Sequence, residues 1–192
     1  MMPRQTENVR ALILILAFAI PSVAAAQATS ETFSATAQVK GAGGGAASAP
    51  VTIVVERKMA QSETDKYLAA FKSGGPAALR KALAGVANTG SVRVGSVAAP
   101  VPTRLTLERS TGKGRLLTIV TDQPIVFLGA GAPGAKAKEG YEFGVIDLEV
   151  DEAGNGIGSI APAAKVTVKQ GVFVVDDYSG EFIKLTGVKK TK

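Results

Sequence analysis

Strand-like alternation of apolar and polar residues recurs along most of the chain and constrains the fold more than any other feature. In 32–40 and 51–57 the odd-numbered residues are mostly apolar and the even-numbered ones mostly polar, which is the period of a half-buried strand. A glycine-rich connection, 41–48, separates these two segments and predicts a hairpin. Further candidate strands are 91–97, 103–109, 115–121, 125–128, 143–151, 165–169, 172–176 and 182–188.

The turns between these segments predict which strands are neighbours. Residues 110–114 predict a hairpin turn between two β-branched strands, and 178–180 predict a final hairpin between 172–176 and 182–188. Pro162 is expected to interrupt the strand that returns after the turn at 152–156.

One region replaces the strand pattern with helical periodicity. Ser62 begins a capping-box-like sequence, and apolar residues follow at helical spacing. Gly74 and Gly75 predict the end of a first helix, and Pro76 suits the first turn of a second. We therefore expect a short helical hairpin over 62–86 that covers one face or one end of the sheet.

Together these patterns predict an α+β fold. Strands at intervals of roughly ten residues, without regular βαβ alternation, favour a mainly antiparallel sheet. The first expectation is a curled sheet or partly open β-barrel with the short helical hairpin inserted near residues 62–86. A β-sandwich with a helical insertion is the alternative.

The N-terminal 1–26 have the layout of a secretory signal peptide. Positive residues precede the apolar run 11–20, and the small residues 22–26 precede a predicted cleavage site before Gln27. The apolar run is shorter than the roughly 20 residues that span a bilayer, so no membrane span is expected. We expect an exported, periplasmic or extracellular protein whose mature part, 27–192, is a single globular domain with a lysine-rich C-terminal tail.

Charge does not favour a nucleic-acid partner. The formal net charge is +6, but three of the positive charges are Lys189, Lys190 and Lys192 in the C-terminal tail. No basic stripe interleaved with aromatic residues is present to follow phosphates and stack on bases.

The sequence contains neither histidine nor cysteine. This excludes His-assisted triads, histidine-ligated zinc and disulfides, and it removes the side chain that titrates near neutral pH without help. We therefore expect a non-enzymatic protein without a cofactor or an assigned metal ligand.

Two motif matches carry no function. Gly129 to Gly134 has the spacing of a dinucleotide-binding glycine motif, but no helix can open before the next strand. Ser110 to Lys113 spells S-x-x-K, yet it lies in a predicted hairpin turn rather than at the start of a helix.

The acidic run Asp147 to Asn155 is the densest group of oxygen ligands in the sequence. It does not fit the register of an EF-hand loop, although calcium binding remains an open alternative. The strand period places Asp147, Glu149 and Asp151 on one solvent-facing row. Lys165 and Lys169 of a neighbouring strand are expected to pair with them.

The loop 129–140 combines glycines with Lys136 and Lys138 and is followed by Tyr141, so these three side chains are a possible contact for a ligand or partner. Small inward-facing residues leave room for an apolar cavity. The predicted function is a binding module for a small lipophilic ligand. The alternative is a structural or protein-interaction module of the cell envelope.

Overall fold

The computed structural model describes residues 30–40, 46–95, 99–125, 139–169, 172–178 and 183–192. The predicted signal peptide, Lys136, Lys138 and the glycine motif at 129–134 lie outside the described residues. In the described part of the chain, no helix combines the length and the apolar character that a membrane crossing requires.

The described residues form ten strands and one helix. In chain order they are β1 (Glu31–Lys40), β2 (Ala46–Val55), α1 (Gln61–Ala84), β3 (Gly90–Val94), β4 (Val101–Thr103), β5 (Leu105–Thr111), β6 (Gly114–Val120), β7 (Phe143–Val150), β8 (Asn155–Lys169), β9 (Val172–Tyr178) and β10 (Ile183–Lys190).

The strands form one antiparallel sheet in the order β4-β3-β2-β1-β10-β8-β7-β6-β5, and β9 pairs with β8 outside this path. The prediction of a mainly antiparallel α+β fold is therefore confirmed. The sheet is open, because β4 and β5 stand at opposite ends of the order and do not pair with each other in the described residues. Only Arg104 separates these two strands along the chain.

One face of the sheet, the inner face, closes on itself. Apolar side chains of β2 and β3 share a single buried cluster with those of β6 and β7, although these strands lie far apart in the strand order. The sheet therefore folds over to bury its inner face without help from the helix. The largest fully buried members of this cluster are Phe33, Ile53, Leu117, Ile119, Ile125, Ile146, Leu148 and Ile160.

The opposite, outer face is covered over part of its area by α1. Leu68, Leu79 and Leu83 of the helix pack in a second cluster with β5, β6, β7 and β8. In β7, Ile146 therefore faces the inner cluster while Val145 faces the helix layer. At these two positions the strand is buried on both faces.

The helix begins earlier than the sequence predicts. Its N-cap is Ala60, which has no side-chain cap, and the Thr64 amide donates to the Ala60 carbonyl at 3.0 Å. The Ser62 cap is therefore wrong, since Ser62 lies within the first turn. The predicted break is present, because Gly74 and Gly75 have non-helical backbone angles, and Gly75 has φ of 65°.

Pro162, which was expected to interrupt a strand, lies inside one, and so does Pro50. Pro50 belongs to β2, where its carbonyl accepts from the Gly95 amide at 2.8 Å. Pro162 belongs to β8, where its carbonyl accepts from the Ile125 amide at 2.8 Å. A proline removes only the N–H donor, so each is tolerated in the sheet where its carbonyl still has a partner.

The predicted final hairpin is wrong. β9 pairs with the second half of β8, whereas β10 lies between β1 and the first half of β8. The strand β8 is 15 residues long, so residues 164–169 extend beyond β10 and form a hairpin with β9. We call residues 164–169 and β9 the β8–β9 arm.

Five charged side chains from distant parts of the chain pair with one another, and we call them the charge network: Glu31, Lys58, Glu108, Arg115 and Lys190. Glu31 is 7% exposed and accepts from Arg115 and Lys190, each at 2.8 Å, while Lys58 Nζ lies at 3.3 Å. Glu108 pairs with Lys58 at 2.6 Å and with Arg115 at 2.8 Å. Lys190 is thus part of the fold rather than of a loose tail.

Candidate functional site

The described residues enclose a cleft of about 550 Å³ on the outer face of the sheet. It lies beside the N-terminal end of α1, over the outer faces of β5 to β8, and under the start of β9. The cleft therefore occupies the part of the outer face that α1 leaves uncovered.

The floor of the cleft contains one row of side chains that are in register across four strands. Leu107 pairs with Thr118, Thr118 with Asp147, and Asp147 with Ser159. Directly opposed residues in an antiparallel sheet point to the same face, so Thr118, Asp147 and Ser159 present adjacent polar groups. The neighbouring row under the helix includes the apolar Val145.

The walls are mainly apolar and come from separate parts of the chain. Met59, in the segment that precedes α1, lines one side, and its amide donates to the Thr106 carbonyl of β5 at 2.9 Å. The opposite wall is the start of β9, where Val172, Phe173, Val174 and Val175 line the cleft.

An aromatic contact holds the β8–β9 arm against the helix. The rings of Phe71 in α1 and Phe173 in β9 meet edge to face, with centroids 6.0 Å apart and planes at 85°. Edge-to-face pairs of this kind are favoured by the ring quadrupoles. The arm therefore has a packing reason to stay over the outer face.

Asp147 is the acidic group of the floor. It is partly buried, and its Oδ1 accepts from the Thr118 hydroxyl at 2.7 Å. Burial raises the pKa of Asp147, although the Thr118 hydrogen bond and the positive charge of Arg109 act in the opposite direction. In the described ranges this carboxylate makes no ion pair within 4.0 Å.

Two charged residues of β5 also line the cleft, and they differ in how they are held. Glu108 belongs to the charge network, where Lys58 and Arg115 neutralise it. Arg109 is exposed to solvent, and its charge reaches Asp147 only through space. The cleft thus combines a mostly apolar wall with a carboxylate that has one hydroxyl partner.

A second depression, of about 670 Å³, has a different lining. It lies between the β5–β6 turn and the β7–β8 turn and is lined mainly by polar and charged residues. Ser110 and Lys113 of the S-x-x-K match are among them. The predicted hairpin turn at this position is confirmed, because the antiparallel pairing of β5 and β6 ends at Thr111 and Gly114. An apolar ligand has little surface to cover there.

The acidic run does not behave as one group. Asp147 lies in the cleft, whereas Asp151 accepts from the Asn155 amide at 2.8 Å in the β7–β8 turn. Among the residues that the structure describes, no group of three or more acidic, histidine or cysteine side chains is placed to hold a metal ion.

The expected pairing with Lys165 and Lys169 is wrong. Asp147 and Glu149 lie opposite Ser159 and Ile157, because these positions belong to the first half of β8. The lysines belong to the second half, which pairs with β9, and Lys169 Nζ lies 3.8 Å from Asp176 Oδ1.

Tyr141 is the one predicted contact residue that the structure describes. It is partly buried, and its hydroxyl donates to Asp177 Oδ2 in β9. This hydrogen bond to Asp177 raises the pKa of Tyr141. Tyr141 does not line the cleft, and its role as a contact residue stays a prediction.

Sequence reasoning did not find the cleft. The alternation in 143–151 correctly separates Asp147 from the inner face, but it cannot show that the β8–β9 arm covers the other face. Comparison of the chain with protein-family models, with curated proteins and with solved structures gave no match.

Proposed function

We propose that the protein is exported and binds a small molecule with an apolar body in the cleft between α1, the outer face of the sheet and the β8–β9 arm. The observation that carries this proposal is the cleft of about 550 Å³ with mainly apolar walls. Binding sites for small molecules are typically concavities of roughly 300–1,000 Å³ that are lined mostly by apolar side chains and contain a few polar groups.

The lining supports binding of an apolar body in particular. Leu107, Val174 and Val175 are partly exposed apolar residues that line the cleft, so a ligand that covers them removes apolar surface from water. The polar groups of the floor are few and adjacent, so they suit a ligand that has a single polar end.

Two further sequence features support a binding role outside the cytoplasm. The N-terminal pattern of residues 1–26 is that of a signal peptide. The chain also lacks histidine and cysteine, so no side chain is available that titrates near neutral pH without a perturbed environment.

Native mass spectrometry of the protein purified gently from its own host tests the proposal directly. We expect a polypeptide that begins near Gln27 and carries a stoichiometric small-molecule adduct, which is released on denaturation. A bare polypeptide that appears with a second protein would instead favour the interaction module.

A probe experiment tests whether the cleft is the site. N-phenyl-1-naphthylamine, a neutral apolar dye, is expected to brighten on binding to the purified protein. Ser159→Phe fills the floor of the cleft and should abolish this signal, whereas Ser48→Phe, the same change at an exposed position of β2, should preserve it. Circular dichroism checks that both variants fold. Equal dye binding in both folded variants would contradict the assignment.

A further inference from the structure

The carboxylate of Asp147 has one hydrogen-bond donor in the cleft. Its Oδ1 accepts from Thr118, and no other hydrogen bond to it occurs among the described residues. Ser159 stands directly opposite on β8 but does not donate to it in this structure. A partly buried carboxylate with one hydroxyl donor has acceptor capacity left for a ligand.

The charged side chains near Asp147 come from two strands, β5 and β7. On β5, Glu108 is neutralised by the charge network, and Arg109 is exposed. On β7 itself, Glu149 is exposed and lies two residues further along the same face. Water screens the exposed charges more strongly than the partly buried one, so Asp147 is the charge of the cleft that solvent screens least.

A ligand that enters this cleft therefore meets a negative charge at the floor and apolar side chains at the walls. An anion would lie against the carboxylate without compensation. A neutral ligand would displace water from the carboxylate and leave its charge unpaired, which is costly in an apolar environment. A cation that donates a hydrogen bond compensates both the charge and the lost water.

We infer that the ligand is a small cationic amphiphile, whose protonated amine binds Asp147 and whose apolar body lies along Phe173 and Val145. This inference rests on the proposed function and names the ligand class of the same cleft. Arg109 at the exposed rim is a like charge for such a ligand, so it weakens binding and does not take part in it.

A matched ligand series tests the inference. Octylamine, octanol and octanoate share one apolar chain and differ in the polar end, and each is titrated at pH 7 as a competitor of N-phenyl-1-naphthylamine. Hydrogen bonds to charged groups correspond to about a 10- to 100-fold difference in affinity, so octylamine should bind more tightly than octanol by this factor. Octanoate should bind most weakly.

Two variants assign the selectivity to a residue. Asp147→Asn keeps the size of the side chain and should reduce the affinity for octylamine to that for octanol, while octanol binding should not weaken. Arg109→Gln should leave octylamine binding unchanged or tighten it. An equal loss of octylamine binding in Arg109→Gln would overturn the assignment to Asp147.

The outcomes separate the two proposals. If the three compounds bind the wild-type protein with equal affinity, the cleft binds apolar chains and the inference about the amine is wrong. If none of them displaces the dye and the dye itself does not bind, the proposed function fails as well.

Discussion

The charge network offers a quantitative test of how this sheet is held together. Burial alone would raise the pKa of Glu31, but hydrogen bonds from Arg115 and Lys190 and the positive charges of Arg115 and Lys58 outweigh it. The result is that the pKa of Glu31 is lowered from 4.5 to about 2. A pKa that is lowered by folding means that the ionised carboxylate stabilises the folded state.

The expected cost of Glu31→Gln follows from this pKa. Each unit of pKa corresponds to 1.36 kcal/mol, so the ionised carboxylate contributes about 3 kcal/mol at pH 7. The variant also leaves Glu108 as the acidic partner of Arg115 and Lys58, whereas Lys190 loses the carboxylate that it pairs with in the network. For a chain of this length, the midpoint of thermal unfolding should fall by about 6–12 °C.

The stabilisation by Glu31 should decrease as pH falls. The contribution of an acid with a lowered pKa is fully present above its unfolded value and is lost as pH falls toward the folded value. The difference in free energy of unfolding between wild type and Glu31→Gln should therefore shrink from about 3 kcal/mol at pH 7 to about 1.4 kcal/mol at pH 3. Urea titrations at both pH values measure it.

A matched control is available on β7. Glu149 is exposed and makes no ion pair within 4.0 Å in the described ranges, so Glu149→Gln should change the free energy of unfolding by less than about 0.5 kcal/mol. A Glu31→Gln variant as stable as this control at pH 7 would refute the reasoning. So would a difference that is as large at pH 3 as at pH 7.

Three further predictions concern single positions. A Cβ on Gly90, where φ is 150°, would lie 1.9 Å from the carbonyl oxygen of Val54, so Gly90→Ala should prevent folding or lower the free energy of unfolding by more than about 3 kcal/mol. Gly112 lies in an open turn, so Gly112→Ala should change this free energy little when both variants are measured by urea denaturation. Thr121→Val removes the buried hydroxyl that accepts from a backbone amide at 2.8 Å and should cost about 1–3 kcal/mol in the same assay. Asp147→Asn should be more stable than wild type at pH 7 and equal to it at pH 3. Burial raises the pKa of Asp147, so the cost of ionising this carboxyl in the folded state appears only as pH rises above the pKa that it has in the unfolded chain. A loss of stability at pH 7 would contradict this.

The sequence predicts the local structure of this fold well where side-chain period decides it. Apolar residues at alternate positions of β1 and β2 are buried as expected, with Phe33 and Ile53 fully so. The helical region and its break at Gly74 and Gly75 are also recognisable, because the two glycines interrupt a clear helical period. The strand period and the helix break both depend on residues that are close together in the sequence.

The sequence fails where the pairing of distant strands decides the outcome. Nothing local shows that β10 inserts between β1 and β8, or that β8 continues through Pro162 to carry the β8–β9 arm. The turn residues at 178–180 favour a hairpin between β9 and β10, but the long β8 offers each of them a separate partner. The cleft is a consequence of that arm, so it could not be predicted either.

The contrast between two acids, Glu31 and Asp147, shows why the cleft is more than a packing gap. Glu31 lies among three cations, and its ionised form strengthens the fold. Asp147 has the Thr118 hydroxyl as its partner in the described residues, and burial disfavours its ionised form. A fold built for stability alone gains from the first arrangement and loses from the second. A cation brought by a ligand would give Asp147 what Arg115 and its neighbours give Glu31, and this is the physical reason for placing the ligand's amine there.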